Sequence, residues 1–217
     1  MEGKPKLHYF KLYGRAEPIR FALSALGIDY EDVELNGKFT GGEEGEKEWQ
    51  ETKKKFEFEQ VPVLDIDGKS LSQSRAILRY LFQREGLYPT DKYEVYRLES
   101  LVDLYGEIEA AIFKTIGSPD RDAAMKDFFT TTFPLRMTQL EKRLKENSTQ
   151  DYLVGDKLST VDCLVCNLRY TFLNPPDEEK KKMIEAAFAQ FETVNKYLET
   201  RKASFAKRLE TRPKYHL

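Results

Sequence analysis

Up to the stretch GLYPTD, residues 86 to 91, the chain alternates between strand-like and helix-like apolar patterns; beyond it only helical spacing remains. A chain divided in this way predicts two differently built halves, because a period of two and a period of 3.6 bury different faces. Residues 4 to 10 read as a short strand. Residues 17 to 26 place Ile19, Ala22, Leu23 and Leu26 on one helical stripe that Gly27 closes. A second strand-like run, YEDVEL, leads into GKFTGGEEGEKEW, whose glycines and charges read as a variable loop. VPVLDIDGKSLSQ then holds two strand candidates around Asp67-Gly68, a hairpin turn signal. From Ser74 the run SRAILRYLFQREG sets Ile77, Leu78, Leu81 and Phe82 on one helical face and stops at Gly86.

In the second half Val95, Leu98, Val102, Tyr105 and Ile112 form a long apolar stripe. Further helices are expected near 120–145, 160–172, 178–190 and 191–202, with Pro134, Pro175 and Pro176 as breaks. The 217 residues suffice for two small cores. The expected fold is α/β plus all-α: a small α/β domain over residues 1–84, a boundary within 84–92, and an all-helical domain over 92–217.

Charge narrows the partners. The 35 basic and 37 acidic residues leave a net charge of -2, so no chain-wide positive field favours nucleic acid or an anionic membrane. Any anion must be held locally. The opening MEGKPKLHYF lacks an apolar signal core, and no apolar run approaches the roughly 18 residues of a membrane span, so a soluble cytoplasmic protein is expected. With two cysteines, Cys163 and Cys166, and two histidines, His8 and His216, neither a disulfide framework, nor a metal site, nor histidine-based catalysis is expected. The pair CLVC invites a redox reading, which wants a strand before it and a helix dipole to lower a thiol pKa. It follows GDKLSTVD instead, where Ser159 and Asp162 have the spacing of a capping box. Both cysteines are therefore expected inside a helix, as core residues.

Several polar residues cluster where an α/β domain binds anions, at strand ends beside a helix start. In LSQSRAI, Gln73 and Ser74 could join exposed amides around a carboxylate; the alternative is that Ser72 or Ser74 is simply an N-cap. In EQVPVL, Pro62 could hold Val61 with its backbone polar groups turned outward, as a cis bond would, or it could be an ordinary edge-strand proline. Trp49 and Lys53 lie four apart, so an indole N–H and an ammonium could converge on one ligand group, or the two could serve packing and solvation. HYFKLYGRAEPIR turns from strand to helix with two phenols before the turn, Tyr9 and Tyr13.

YFKLYGRAEPIR, the Trp49 and Lys53 pair, QVPVL and QSRAILRYL, in this order and followed by a helical domain, resemble a cytosolic glutathione transferase of the tyrosine type, most like the sigma class. The ending RLETRPKYHL is similar to that group too. The resemblance implies a thioredoxin-like, glutathione-binding N-terminal domain, a helical C-terminal domain and a homodimer, with glutathione as co-substrate and no metal. In the family pattern the catalytic tyrosine stands just before an aromatic or similar residue, with glycine and arginine five and six positions later. That implies Tyr9, with Phe10, Gly14 and Arg15, and leaves Tyr13 in a loop. The chemistry agrees, because a cysteine-like thiol of pKa about 8.5 is mostly protonated at neutral pH. A phenol that donates to the thiolate contributes about 1.5–3 kcal/mol, which lowers the thiol pKa by about one to two units. Arg15 would add positive potential.

Carried over residue by residue, Gln73 and Ser74 match the pair that holds the γ-glutamyl end, and Val61 with Pro62 offers backbone pairing to the cysteinyl part. Trp49, Lys53 and Gln60 match contacts to the glycyl end. Where many relatives carry an aspartate that crosses to the other subunit, LVDLYGEIEAA brings Ala111, with Glu107 and Glu109 nearby. Phe58 stands where some relatives insert an aromatic key into the neighbouring subunit; packing within its own domain is the alternative. The implied function is conjugation of the glutathione thiolate to a hydrophobic electrophile, or isomerisation through a transient glutathione adduct. The acceptor site would be lined by Phe10, Tyr13, Tyr105, Ile112, Phe205 and Leu209. A non-catalytic structural or interaction protein competes, against which Tyr9, Arg15, Lys53, Gln73 and Ser74 stand together. A cysteine-dependent thiol oxidoreductase lacks its nucleophile, since no cysteine lies near residues 9 to 16.

Overall fold

The computed structural model describes residues 3–215, which divide into two compact units. His216 lies outside the described residues. The first unit runs to Gly86 and takes up the chain again from Phe205; the second spans Leu87–Ser204.

In the first unit the elements are β1 (Lys6–Phe10), α1 (Glu17–Ala25), β2 (Glu31–Leu35), α2 (Lys38–Thr52), β3 (Val63–Ile66), β4 (Lys69–Ser72) and α3 (Ser74–Arg84). The sheet order is β2-β1-β3-β4, with β1 parallel to β2 and the other two pairings antiparallel. The β3–β4 hairpin turns at Asp67 and Gly68, both with positive φ (51° and 69°), as a primed turn requires. Leu7 and Tyr9 point from β1 into the core, while His8 and Phe10 alternate to the opposite face. There Phe10 meets Trp49 edge-on at 4.9 Å, and Phe56 lies 5.6 Å from His8.

Two expectations are corrected in this unit. GKFTGGEEGEKEW is mostly helix, not loop: α2 consists of two helical segments joined at a kink, where Gly42 has φ 62°. At Gly45 a Cβ would come within 2.8 Å of the Gly37 carbonyl oxygen, so glycine there permits a close backbone approach inside a helix. The second correction concerns the last residues. The segment from Phe205, expected as part of the helical domain, belongs to the first unit, where it forms α10 (Ala206–Thr211, numbered in chain order). The cause is a buried charge match. Glu17 is wholly buried at the start of α1 and accepts from Arg208 Nε at 3.1 Å, Arg208 Nη2 at 2.8 Å and Arg212 Nη1 at 3.3 Å. Phe205 adds a ring contact with Phe21 at 4.9 Å. Because α1 is covered by both α3 and α10, it buries Glu17, Pro18, Arg20 and Phe21 beyond the apolar stripe.

The second unit is helical: α4 (Lys92–Ile116), α5 (Arg121–Asp127), α6 (Phe133–Glu146), α7 (Thr160–Asn167), α8 (Glu178–Ala189) and α9 (Glu192–Ser204). Asp91 caps α4 by accepting from the backbone N–H groups of Tyr93 and Glu94. The single helix expected near 120–145 is divided by a wider, π-type turn at Phe128–Thr132, and Pro134 sits in the first turn of α6, where a missing N–H is harmless. Asp162 is fully buried and accepts the Ser159 N–H and hydroxyl, each at 2.7 Å, and the Tyr197 hydroxyl at 2.6 Å. Cys163 and Cys166 lie buried in α7, and burial pushes both thiols well above their ordinary pKa. Inert core cysteines are the result. Among the described residues no helix is long and apolar enough to cross a membrane.

Candidate active site

Part of the polar set singled out from the sequence, Arg15, Gln60, Gln73 and Ser74, meets at one place in the first unit. β1 ends at Phe10, and the chain then turns through a short 3-10 segment, Gly14–Ala16, into α1. Tyr9 is 9% exposed, and its hydroxyl oxygen accepts the backbone N–H of Arg15 at 3.1 Å. The turn fits closely around that phenol: a Cβ on Gly14 would lie 2.5 Å from the Tyr9 oxygen, and Gly14 has φ 41°. Both facts demand glycine. Tyr13 faces elsewhere. Its hydroxyl donates to the Pro213 carbonyl at 2.7 Å, and its ring lies 5.1 Å from that of Tyr215.

Beside this turn a small cleft is lined by Arg15, Gln60, Val61, Pro62, Gln73 and Ser74, with Ser72 completing the wall. Arg15 thus joins the two features, its backbone N–H reaching Tyr9 and the residue lining the cleft. The Val61–Pro62 bond is cis. At the α3 start the cap residue is Gln73, with φ 70° and ψ 109°, and no side chain caps the helix. The N-cap reading of Ser72 or Ser74 therefore fails, and Ser72, expected only as a cap, is a wall of the cleft. A non-glycine residue held at such a φ costs about 1–3 kcal/mol and persists where its surroundings over-determine it. Gln73 Nε2 donates to Gln60 Oε1 at 3.4 Å, across the cleft.

The remaining candidates are more scattered. Lys53 is paired with Glu59 at 3.4 Å, beside Gln60. Trp49 is half-buried at the end of α2, with ring contacts to Phe10 and Phe56, and its carbonyl accepts the Lys53 N–H. Phe10, Tyr13, Phe205 and Leu209 belong to the first unit, Tyr105 and Ile112 to the second. Phe205 is fully buried, and Tyr105 and Ile112 are core residues of α4, with the Tyr105 hydroxyl accepting from Asn167 Nδ2 at 3.2 Å. Near Ala111 on the same helix, Glu107 is paired with Arg136.

A buried carboxylate adjoins the turn. Burial alone would push the Glu17 carboxyl up, but the Arg208 hydrogen bonds and the charges of Arg208, Arg20 and Arg212 outweigh it and hold it below the usual carboxylate range. Arg20 also donates to the Leu12 carbonyl at 2.9 Å and to both Asp32 oxygens at 2.9 and 3.1 Å, which ties the turn to β2.

The N-terminal domain model of glutathione S-transferases matches residues 5–83, and the C-terminal domain model matches residues 102–204. Human glutathione S-transferase A3 is 37% identical over 176 residues, covering 78% of this chain and 74% of that protein. A Nu-class glutathione S-transferase from Haemonchus contortus superposes with a TM-score of 0.79 at 31% identity, covering 98% of each chain. Na-GST-3, a monomeric glutathione S-transferase from the hookworm Necator americanus, superposes with a TM-score of 0.81 at 27% identity, covering 99% of this chain and 100% of its own.

Proposed function

The chain belongs to the glutathione S-transferase family, and from that premise we propose that Tyr9 activates the glutathione thiol for attack on a hydrophobic electrophile. The observation that supports this most is the Arg15 N–H on the Tyr9 hydroxyl oxygen at 3.1 Å, with Arg15 itself lining the polar cleft. A hydroxyl oxygen that accepts one hydrogen bond becomes a better donor in the next, so the Arg15 N–H strengthens donation from Tyr9 to sulfur. The phenol stays protonated and holds the thiolate by a charge-assisted bond. Arg15, which lines the same cleft, raises the local positive potential through its guanidinium.

The tripeptide is then held by parts. Gln73 and Ser74, at the strained entry to α3, take the γ-glutamyl carboxylate together with the first amides of that helix. The Val61 backbone, before Pro62, pairs with the cysteinyl unit. Gln60 and Lys53 receive the glycyl carboxylate, Lys53 by exchanging Glu59 for it; Trp49 supports them through its packing against Phe10. Phe10, Tyr13 and Leu209 remain the acceptor-site candidates, whereas Phe205, Tyr105 and Ile112 are core residues; conjugation is the main reaction and isomerisation through a glutathione adduct the variant of it. YFKLYGRAEPIR supports the tyrosine type and a sigma-like spelling of it. Cytoplasmic location and homodimer formation follow the same family reading, and the 51% exposure of Phe58 leaves its ring available to a second copy.

Retention on immobilised glutathione, followed by a panel of model electrophiles, tests the reading. Retention with measurable conjugation is expected; a folded protein that passes through unretained and inactive would overturn it.

A further inference from the structure

Residues on both sides of Arg15 are held by the far end of the chain. On one side, Tyr13 donates its hydroxyl to the Pro213 carbonyl at 2.7 Å, receives the Tyr215 N–H at 3.4 Å, and carries the Arg212 guanidinium over its ring at 4.6 Å. On the other, the buried Glu17 carboxylate takes Arg208 at 2.8 Å and Arg212 at 3.3 Å, partners 191 and 195 residues away. Between these anchors lies a three-residue 3-10 turn, Gly14–Ala16, closed by the i+3 bond from the Glu17 N–H to the Gly14 carbonyl, the same N–H also reaching the Tyr13 carbonyl at 3.0 Å. Turns of this kind have poor hydrogen-bond geometry and are easily reshaped.

We propose that the segment Arg208–Tyr215 is a clamp that sets the geometry of this turn and so the hydrogen bond from the Arg15 N–H to Tyr9, making Arg208 and Arg212 positioning residues for thiol activation. The proposal rests on the reading of Tyr9 given above. Its physical basis is the steep dependence of a hydrogen bond on distance and angle. A turn that loosens by a few tenths of an ångström weakens the N–H to oxygen bond, and the phenol then donates less strongly to sulfur. Tyr215 braces the outer side, its hydroxyl donating to Glu34 at 2.7 Å and its ring lying 5.8 Å from the Arg20 guanidinium. Glutathione's anchoring residues in the cleft are not part of the clamp. Loss of the clamp should therefore raise the bound thiol's pKa while leaving affinity nearly unchanged.

Two variants separate this from a purely structural role. Arg212→Gln removes the cation over Tyr13 and one partner of Glu17; a chain ended after Arg212 removes the Pro213 carbonyl and Tyr215 but keeps both arginines on Glu17. Circular dichroism checks folding, calorimetry measures glutathione affinity, and thiolate ultraviolet absorbance against pH gives the bound thiol's pKa, alongside the parent and Tyr9→Phe. Expected are affinities within about threefold of the parent, a thiol pKa raised by about half a unit, and conjugation reduced about twofold at neutral pH but recovered in alkali. If the folded variants bind glutathione with an unshifted thiol, the clamp is overturned while the Tyr9 reading stands. If the parent shows no lowered thiol pKa, or Tyr9→Phe does not raise it, the Tyr9 reading fails and takes the clamp with it. Should Arg212→Gln not fold, the shortened chain decides alone.

Discussion

Tyr9→Phe removes one hydroxyl from a ring that is 9% exposed and hardly changes its volume. The lost oxygen accepts the Arg15 N–H at 3.1 Å, so a backbone donor loses that acceptor, at about 1 kcal/mol where water reaches the turn and up to about 3 where it does not. Arg15 is an exposed residue, which places the loss at the lower end, and the fold should survive. The chemistry loses more. A phenol–thiolate hydrogen bond of about 1.5–3 kcal/mol corresponds to about one to two units of thiol pKa. A thiol held near 7 is about half ionised at neutral pH, whereas one near its solution value of about 8.5 is ionised to only about 3%. Conjugation at neutral pH should therefore fall about tenfold from ionisation alone, and toward a hundredfold where the same bond also holds the transition state.

The thiolate's ultraviolet absorbance, followed against pH in the glutathione complex, reads this directly. Tyr9→Phe should bind glutathione, because Gln73, Ser74 and Lys53 are untouched, but with the thiol titrating near its free value. Tyr13→Phe should shift the titration by less than a few tenths of a unit. Its ring keeps Arg212 and Tyr215, and what is lost is the hydroxyl's pairing with the Pro213 carbonyl and the Tyr215 N–H. A titration moved by Tyr13→Phe and left alone by Tyr9→Phe would refute the assignment, since the phenol nearest sulfur would then be the other one.

Ser159→Ala should cost about 0.5–2 kcal/mol in urea unfolding, as a lost cap does, while Asp162→Ala should cost more, because it leaves the buried Tyr197 hydroxyl and the Ser159 N–H unpaired; a loss of glutathione affinity in the folded variants would show the box to be more than structural. Glu17 has its carboxyl held below the ordinary range, so the stability it brings is full above about pH 4.3, the unfolded value, and is lost as pH falls through the lower folded value. Glu17→Gln should thus destabilise by about 3–5 kcal/mol at neutral pH, with the gap to the parent narrowing on acidification, and a gap that stays constant down to about pH 3 would contradict the pairing. Light scattering at micromolar concentration should give twice the chain mass; a monomer mass, which would match the monomeric Na-GST-3 of Necator americanus, would remove the homodimer.

Features encoded within a few residues are legible in the sequence. Asp67-Gly68 announces its hairpin because a primed turn needs two adjacent residues that tolerate positive φ, and both adopt it. SRAILRYLFQREG announces α3 because Ile77, Leu78, Leu81 and Phe82 fall on one face, and all four are fully buried. Glycine misleads in α2, because it suggests a loop where Gly45 instead lets the helix lie against the Gly37 carbonyl. The same residue type is essential at Gly14 for the opposite reason, a tight turn around Tyr9. Composition cannot separate these two uses; what the glycine faces can. Gln73 is legible as a polar residue at a helix start, but its positive φ is not, since nothing in LSQSRAI marks a glutamine for that region.

The C-terminal segment is hidden for a related reason. RLETRPKYHL has no apolar period, so pattern reasoning leaves it attached to the helices before it. Its position is decided by charge: burying Glu17 alone would cost several kcal/mol, and the guanidinium groups able to offset that cost lie near the other end of the chain. Arg20 is equally buried and already shared with Asp32, so it cannot serve Glu17 by itself. The α1 helix therefore acquires a compatible environment only when residues 208 and 212 arrive, and the first unit is built from both ends of the sequence. The turn just before that carboxylate inherits the dependence, since Tyr13 at its start and Glu17 at its end both bond to residues 208–215.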